Sequence, residues 1–206
     1  MSTKELIKIT LNLLVIYVVG GVLLALIYAY TSPIIFQHNE EEKKDALQKL
    51  IPEADKIEKL GDWHPHEKHA EYYAAKKDGQ IMGYIVQTFA KGYSSYINIL
   101  FAVNKDLIVQ KVTILHQAET PGLGDEVATP SFIEQFKGKD IEHLKVKKEE
   151  TTEYVQAITG ATISSRAVTE DGIRNGDIFL EKALKGVSDP STTGGMHEGD
   201  NPHGSH

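Results

Sequence analysis

Two short segments combine residue types that could do chemistry. The first is His116-Gln117-Ala118-Glu119-Thr120-Pro121-Gly122-Leu123-Gly124. An imidazole and a carboxylate three positions apart can hydrogen-bond a ligand or exchange protons with it. Pro121-Gly122 and the second glycine, Gly124, impose a specific backbone course, and Leu123 between glycines is presented outward at low steric cost. A plain surface turn with a satisfied His–Glu pair would use the same residues. The second segment is Thr159-Gly160-Ala161-Thr162-Ile163-Ser164-Ser165. Gly160 and Ala161 let the backbone turn closely. Hydroxyls at a helix start accept bonds from free backbone N–H groups, and those same N–H groups, with the helix dipole, attract phosphate. Capping and anion binding both remain open at this point.

The elements that must position these segments can be read from the pattern. Ala70 to Lys76, Gln80 to Thr88, Tyr96 to Val103 and Leu107 to Leu115 each carry β-branched and aromatic residues. Turn signals at Asp78-Gly79, Gly92 and Asn104-Lys105-Asp106 separate them, as in an antiparallel meander. The first chemical segment follows the last of these strands. Pro130 to Phe136 reads as a short helix, and Leu144 to Lys148 and Tyr154 to Ala157 as short strands. Thr162 to about Leu184 has the spacing of an amphipathic helix, with an interruption expected around Gly172 to Gly176. The second chemical segment therefore lies at a helix start. Gly61 to His69 (GDWHPHEKH) reads as a solvated polar loop rather than a metal site, despite His64, His66 and His69. Residues 187–206, small and rich in Gly and His, read as a disordered tail.

Of 206 residues, 29 are acidic and 22 basic, a formal charge of −7. That balance argues against nucleic acid as a partner, since duplex binding needs clustered Lys and Arg. The chain has no cysteine, which excludes disulfides, thiol catalysis and thiolate-held clusters or zinc. The mildly polar average hides an uneven distribution. No Asp, Glu, Lys or Arg occurs between Lys8 and Glu40, and Ile9 to Tyr30 is almost wholly apolar. As a helix, that stretch covers about 30 Å, the hydrocarbon thickness of a bilayer. A cleaved signal peptide would have a shorter apolar stretch and a small-residue cleavage site, which Thr31-Ser32-Pro33 does not supply. One domain of this size could hardly surround such a helix as a core. Lys4 and Lys8 precede the span, and no Lys or Arg follows until Lys43 and Lys44, so the positive-inside bias puts the N-terminus in the cytoplasm. Asn12, Gly20 and Gly21 suit packing on other membrane helices, though two glycines in an anchor can also be incidental. Phe36 to Leu50 reads as a charged helix leaving the membrane, ended before Pro52.

The expected organisation is α+β. Residues 1–8 form a cytoplasmic tip and 9–36 a single transmembrane anchor. Residues 37–186 form one extracytoplasmic domain with an antiparallel sheet and packed helices, and 187–206 the tail.

Together, H-x-x-E-T-P-G-L-G and, some 40 residues on, T-G-A-T-I-S-S resemble the FMN-binding domain of the G subunit of the Rnf ion-translocating electron-transport complex. The same domain occurs in the C subunit of the sodium-translocating NADH:quinone reductase. The likeness covers nearly the whole chain, including the N-terminal membrane helix. It implies one FMN, joined through its phosphate to the second threonine of [ST]-G-A-T, here Thr162. It further implies that Thr159, Gly160, Ala161, Ser164 and Ser165 belong to the cofactor site, with Gly160 and Ala161 allowing close approach of the phosphate. The loop His116, Glu119, Thr120, Pro121, Gly122, Leu123 and Gly124 would lie beside the isoalloxazine, with Tyr93 lining the site. The family's attachment signal usually begins with Asp three residues before the first Ser/Thr; Gln156 stands there instead, which bears on how attachment proceeds.

The resemblance implies an electron carrier rather than an enzyme with a diffusible substrate. It would serve a membrane-bound ferredoxin:NAD+ oxidoreductase that couples electron flow to Na+ or H+ movement. Its partners would be the other members of that complex and a flavin transferase. The short chain favours this assignment over the quinone-reductase one. A membrane-anchored binding module without redox function is the alternative of another class. No ion path is expected within the chain, because its membrane helix carries no ionisable acid or base.

Overall fold

Strands rich in β-branched and aromatic residues, with one charged edge strand, build a five-stranded antiparallel meander, β1 (Lys56–Trp63), β2 (Ala70–Lys77), β3 (Gln80–Lys91), β4 (Tyr96–Asn104) and β5 (Val109–His116), ordered as in sequence. The computed structural model describes residues 3–187. The tail expected at 187–206 lies outside the described residues beyond Val187, as do Met1 and Ser2.

The chain divides into two units, Met1–Asp45 and Ala46–His206. The first consists of helix α1 (Thr3–Leu50) up to its last turn. Its apolar side chains are exposed, among them Tyr17, Leu24 and Tyr30. A core helix would bury such residues. By length and composition this helix can cross a membrane. The anchor and the charged stretch Phe36 to Leu50 are one continuous helix with Pro33 inside it.

In the second unit the sheet is covered on both faces. Ile85 of β3, Leu100 and Ala102 of β4 and Tyr73 of β2 pack against Ala46, Leu47 and Leu50 at the end of α1. On the opposite face, Val86 and Ala90 of β3 and Ile97, Ile99, Phe101 and Val103 of β4 meet Val168, Ile173 and Leu180 of the C-terminal helices. This alternation is what the period-2 geometry of a strand requires.

Four strands match the expected meander, and β3 runs three residues further, to Lys91. β1 corrects the sequence reading. Gly61, Asp62 and Trp63, expected in a loop, belong to this strand, paired with β2 through Tyr72, Glu71 and Ala70. β1 is an edge strand carrying Lys56, Glu58, Lys59 and Asp62, and charges on an edge discourage aggregation while erasing the alternation that marks a strand. Only Pro65–Glu67 forms a short turn of 3-10 helix there.

After β5 come a 3-10 turn (Gly124–Ala128), α2 (Pro130–Ile133) with a further 3-10 turn (Glu134–Phe136), and the parallel pair β6 (Val146–Lys147) and β7 (Val155–Gln156). The last helix begins at Thr162 as expected. It runs as α3 (Thr162–Arg166), a π-helical stretch (Ala167–Arg174) and α4 (Asn175–Val187). The interruption expected around Gly172 to Gly176 overlaps this π-helical stretch, and the glycines also permit close approach. A Cβ on Gly172 would come within 2.6 Å of Ile99, and one on Gly176 within 2.8 Å of Phe101.

Candidate functional site

The 92–95 turn between β3 and β4, the loop after β5 and the start of α3 converge on a pocket of about 550 Å³ lined by Tyr93, Glu119, Thr120, Leu123, Gly124, Gly160, Ala161, Thr162, Ile163 and Ser164. Pockets of this size suit drug-sized and cofactor-sized ligands. Three of the lining side chains are large, apolar and exposed: Tyr93, Leu123 and Ile163.

The four hydroxyls of the 159–165 segment differ in what they touch. The Ser165 hydroxyl donates to the Ala161 carbonyl at 2.9 Å and accepts from the Ile158 N–H at 3.0 Å, so it holds the turn together. Ser164 donates to Glu119 Oε2 at 2.6 Å. Thr159 is exposed and outside the pocket lining. Thr162 is half-buried and lines the pocket, and among the described residues nothing hydrogen-bonds to its hydroxyl. No side chain caps this helix start, so its first N–H groups are left for another acceptor. Gly160, at φ +80°, turns the chain into the helix in a conformation that favours glycine.

Glu119 is buried and accepts five hydrogen bonds. The N–H groups of Tyr93 (2.9 Å), Ser94 (3.0 Å) and Ser95 (2.9 Å) donate to it, as do the hydroxyls of Ser95 (3.1 Å) and Ser164 (2.6 Å). Burial pushes its carboxyl up, but the bonds from Ser164 and the 93–95 amides outweigh that and hold it below the usual range. The carboxylate fills the space beside two glycines. A Cβ on Gly92 would stand 2.5 Å from Oε1, and one on Gly124 would stand 2.9 Å from Oε2 and 2.7 Å from the Ser164 hydroxyl.

The structure thus brings together Tyr93, Glu119, Thr120, Leu123, Gly124, Gly160, Ala161, Thr162 and Ser164. It leaves His116, Pro121 and Gly122 exposed and outside the lining, and Ser165 buried behind it. His116 ends β5 opposite Asn98, and it does not pair with Glu119. Sequence reasoning missed Ile163, Ser94 and Ser95. Ile163 follows Thr162 at the helix start, where the first turn is presented outward. For the two serines no local signal exists, because their partner is 24 to 25 residues away.

Elsewhere, ligand atoms of Asp62, His69 and Glu71 lie within 4.8 Å of one another. The Lys59 ammonium sits on both carboxylates, 2.7 Å from Asp62 and 2.6 Å from Glu71. His66 bonds to Asp171 at 2.8 Å.

Residues 92–171, which hold every lining residue, match the FMN-binding domain family. The chain is 36% identical over 168 residues to the G subunit of the proton-translocating ferredoxin:NAD(+) oxidoreductase complex of Clostridium ljungdahlii, covering 81% of this chain and 88% of that one. It is 34% identical over 183 residues to the Na(+)-translocating counterpart of Acetobacterium woodii, covering 81% and 87%. Among solved structures, the C subunit of the Na(+)-translocating NADH-quinone reductase of Parabacteroides distasonis aligns over 56% of this chain and 63% of that one. There the TM-score is 0.47 and the identity 29%.

Proposed function

The chain belongs to the G-subunit family of ion-translocating ferredoxin:NAD+ oxidoreductase complexes. From that premise we propose that it is the anchored flavoprotein of such a complex, carrying one FMN as a phosphoester on Thr162. The observation that carries this reading is the state of the hydroxyls. Ser164 and Ser165 are engaged, whereas Thr162 presents a free hydroxyl to the pocket at an uncapped helix start.

The residues present fit the group. The first-turn N–H groups and helix dipole favour a phosphate, Gly160 and Ala161 keep its approach clear, and the exposed Tyr93, Leu123 and Ile163 offer apolar surface to a ring. When bound, FMN supplies the redox chemistry, and the protein supplies position and electrostatics. The ester would keep a soluble cofactor on a domain facing away from the cytoplasm. His116, Thr159, Pro121, Gly122 and Ser165 act, in this reading, by shaping the two segments rather than by touching the ring.

Helix α1 anchors the chain once in the cell membrane with the N-terminus cytoplasmic, as the distribution of Lys4, Lys8, Lys43 and Lys44 favours. The partners are the other members of the complex, which couples electron flow to Na+ or H+ movement, and a flavin transferase. Gln156, in place of the usual Asp, leaves the acceptor hydroxyl of Thr162 in place.

Intact mass of the full chain, co-produced with a flavin transferase, tests the assignment. The wild type should exceed its sequence mass by FMN minus one water and give a fluorescent band on a denaturing gel. Thr162→Ala should give neither. A dark, unmodified wild type, or a fluorescent Thr162→Ala, would overturn the reading.

A further inference from the structure

The turn Gly92-Tyr93-Ser94-Ser95, closed by the Gly92 N–H on the Ser95 carbonyl at 2.9 Å, points three consecutive backbone N–H groups at one place. Such a run of amides forms an anion-binding concavity. Here the chain fills it with its own carboxylate, Glu119.

The bonding requires that carboxylate to be ionised. Three of its five partners are amides, which can only donate. Ser95 accepts from the Ala118 N–H at 2.9 Å and so turns its own proton to Glu119. A protonated carboxyl would set its O–H against a donor, whereas an ionised one accepts from all five. Among the described residues no cation pairs with Glu119, and every stabilising partner is a dipole. A full negative charge therefore stands in the wall of the pocket that Thr162 also lines. Glu119 itself is only 6% exposed, so it reaches the pocket through the residues it holds and through its field.

We propose that Glu119 is the positioning residue of the flavin site: a fixed anion that clasps the Tyr93 turn to the start of the last helix and holds the midpoint potential of the bound flavin low. This rests on the reading that FMN sits on Thr162. Electrons added to the flavin build negative charge beside a negative wall, and a carboxylate as buried as Glu119 is screened less than one at the surface. Nearby charge is one of the means by which a protein tunes a flavin.

Redox titration of the full, FMN-loaded chain tests this with two variants expected to move in opposite directions. Glu119→Gln keeps the shape and removes the charge, so the midpoint potential should become more positive. Ser164→Ala keeps the charge and removes a donor that neutralises part of it, so the potential should become more negative. A generally loosened pocket would move both the same way, and shifts of one sign, or none, overturn the proposal. If Glu119→Gln does not fold, Ser164→Ala decides alone: a negative shift supports the proposal, while no shift or a positive one overturns it. The adduct mass reads the underlying assignment separately. A wild type without adduct overturns both, and a wild type with adduct but unmoved potentials in the variants overturns only this one.

Discussion

Two carboxylates in this domain are nearly inaccessible to water and behave in opposite ways. Glu119, 6% exposed, is surrounded by five donors and held below the usual carboxyl range. Asp177 of α4, 2% exposed, has an Oδ1 with no hydrogen-bond partner, and burial, with the nearby charges of Glu181 and Asp140, pushes it up to about 7. Burial alone disfavours the charged form of both. What separates them is the supply of donors. Glu119 lies against a turn whose amides have nowhere else to go, whereas Asp177 lies in a helix whose amides are committed to the helix. The comparison indicates which buried acid belongs to a charged site and which the fold shifts towards its neutral form.

The largest effect should come from emptying the Glu119 site. Glu119→Ala would strand three amides and two hydroxyls, and losing one member of such a network costs about 3–5 kcal/mol. Calorimetry should show a fall in Tm of roughly 10 °C. The wild-type pH profile carries the same sign. The folded pKa of Glu119 is lowered, so its contribution is present above the ordinary carboxyl range and is lost as pH falls through the folded value. That acid limb should flatten in Glu119→Gln.

Asp177 should behave in reverse. Its folded pKa of about 7 lies above the ordinary 3.8, so the stability it contributes is fully present in acid and is lost as pH rises towards and through 7. Asp177→Asn removes that loss. Its gain should be small at about pH 4 and grow to roughly 4 kcal/mol at pH 8, measured by denaturant unfolding at both values. A gain equal at the two pH values would show that Asp177 is not held neutral.

The smallest expected effect is steric. Gly92→Ala places a Cβ 2.5 Å from Glu119 Oε1 and should cost about 1–2 kcal/mol. Combined with Glu119→Ala, which vacates that space, the loss should be less than additive. Simple addition of the two losses would mean that Gly92 matters for some reason other than the carboxylate.

Much of this arrangement is legible along the chain. β2 to β5 follow from alternating β-branched and aromatic residues between turn signals. The helix start at Thr162 follows from a small-residue turn before an amphipathic run. β1 escapes the same reading because an edge strand with four charged side chains lacks the alternation. The interruption expected around Gly172 to Gly176 falls within reach of the π-helical stretch Ala167–Arg174, but its earlier start and its π form escape, because no local pattern encodes how the helix packs on the sheet. At the site, residue types nominated His116 and Glu119 alike. Tertiary packing leaves the histidine on the surface and buries the carboxylate in the pocket wall.

The sequence by itself therefore determined the apolar helix, the meander and the two segments that meet in the pocket, because each rests on local periodicity or on adjacent residues. Only the tertiary structure decided which hydroxyl is free and which acid is charged. Both depend on partners far along the chain: Ser164 is tied to Glu119 45 residues away, and Glu119 to amides 24 to 26 residues before it. Hydrogen-bond supply at such a distance is a property of packing, and of the hydroxyls in the 162–165 turn it leaves Thr162 unengaged and lining the pocket.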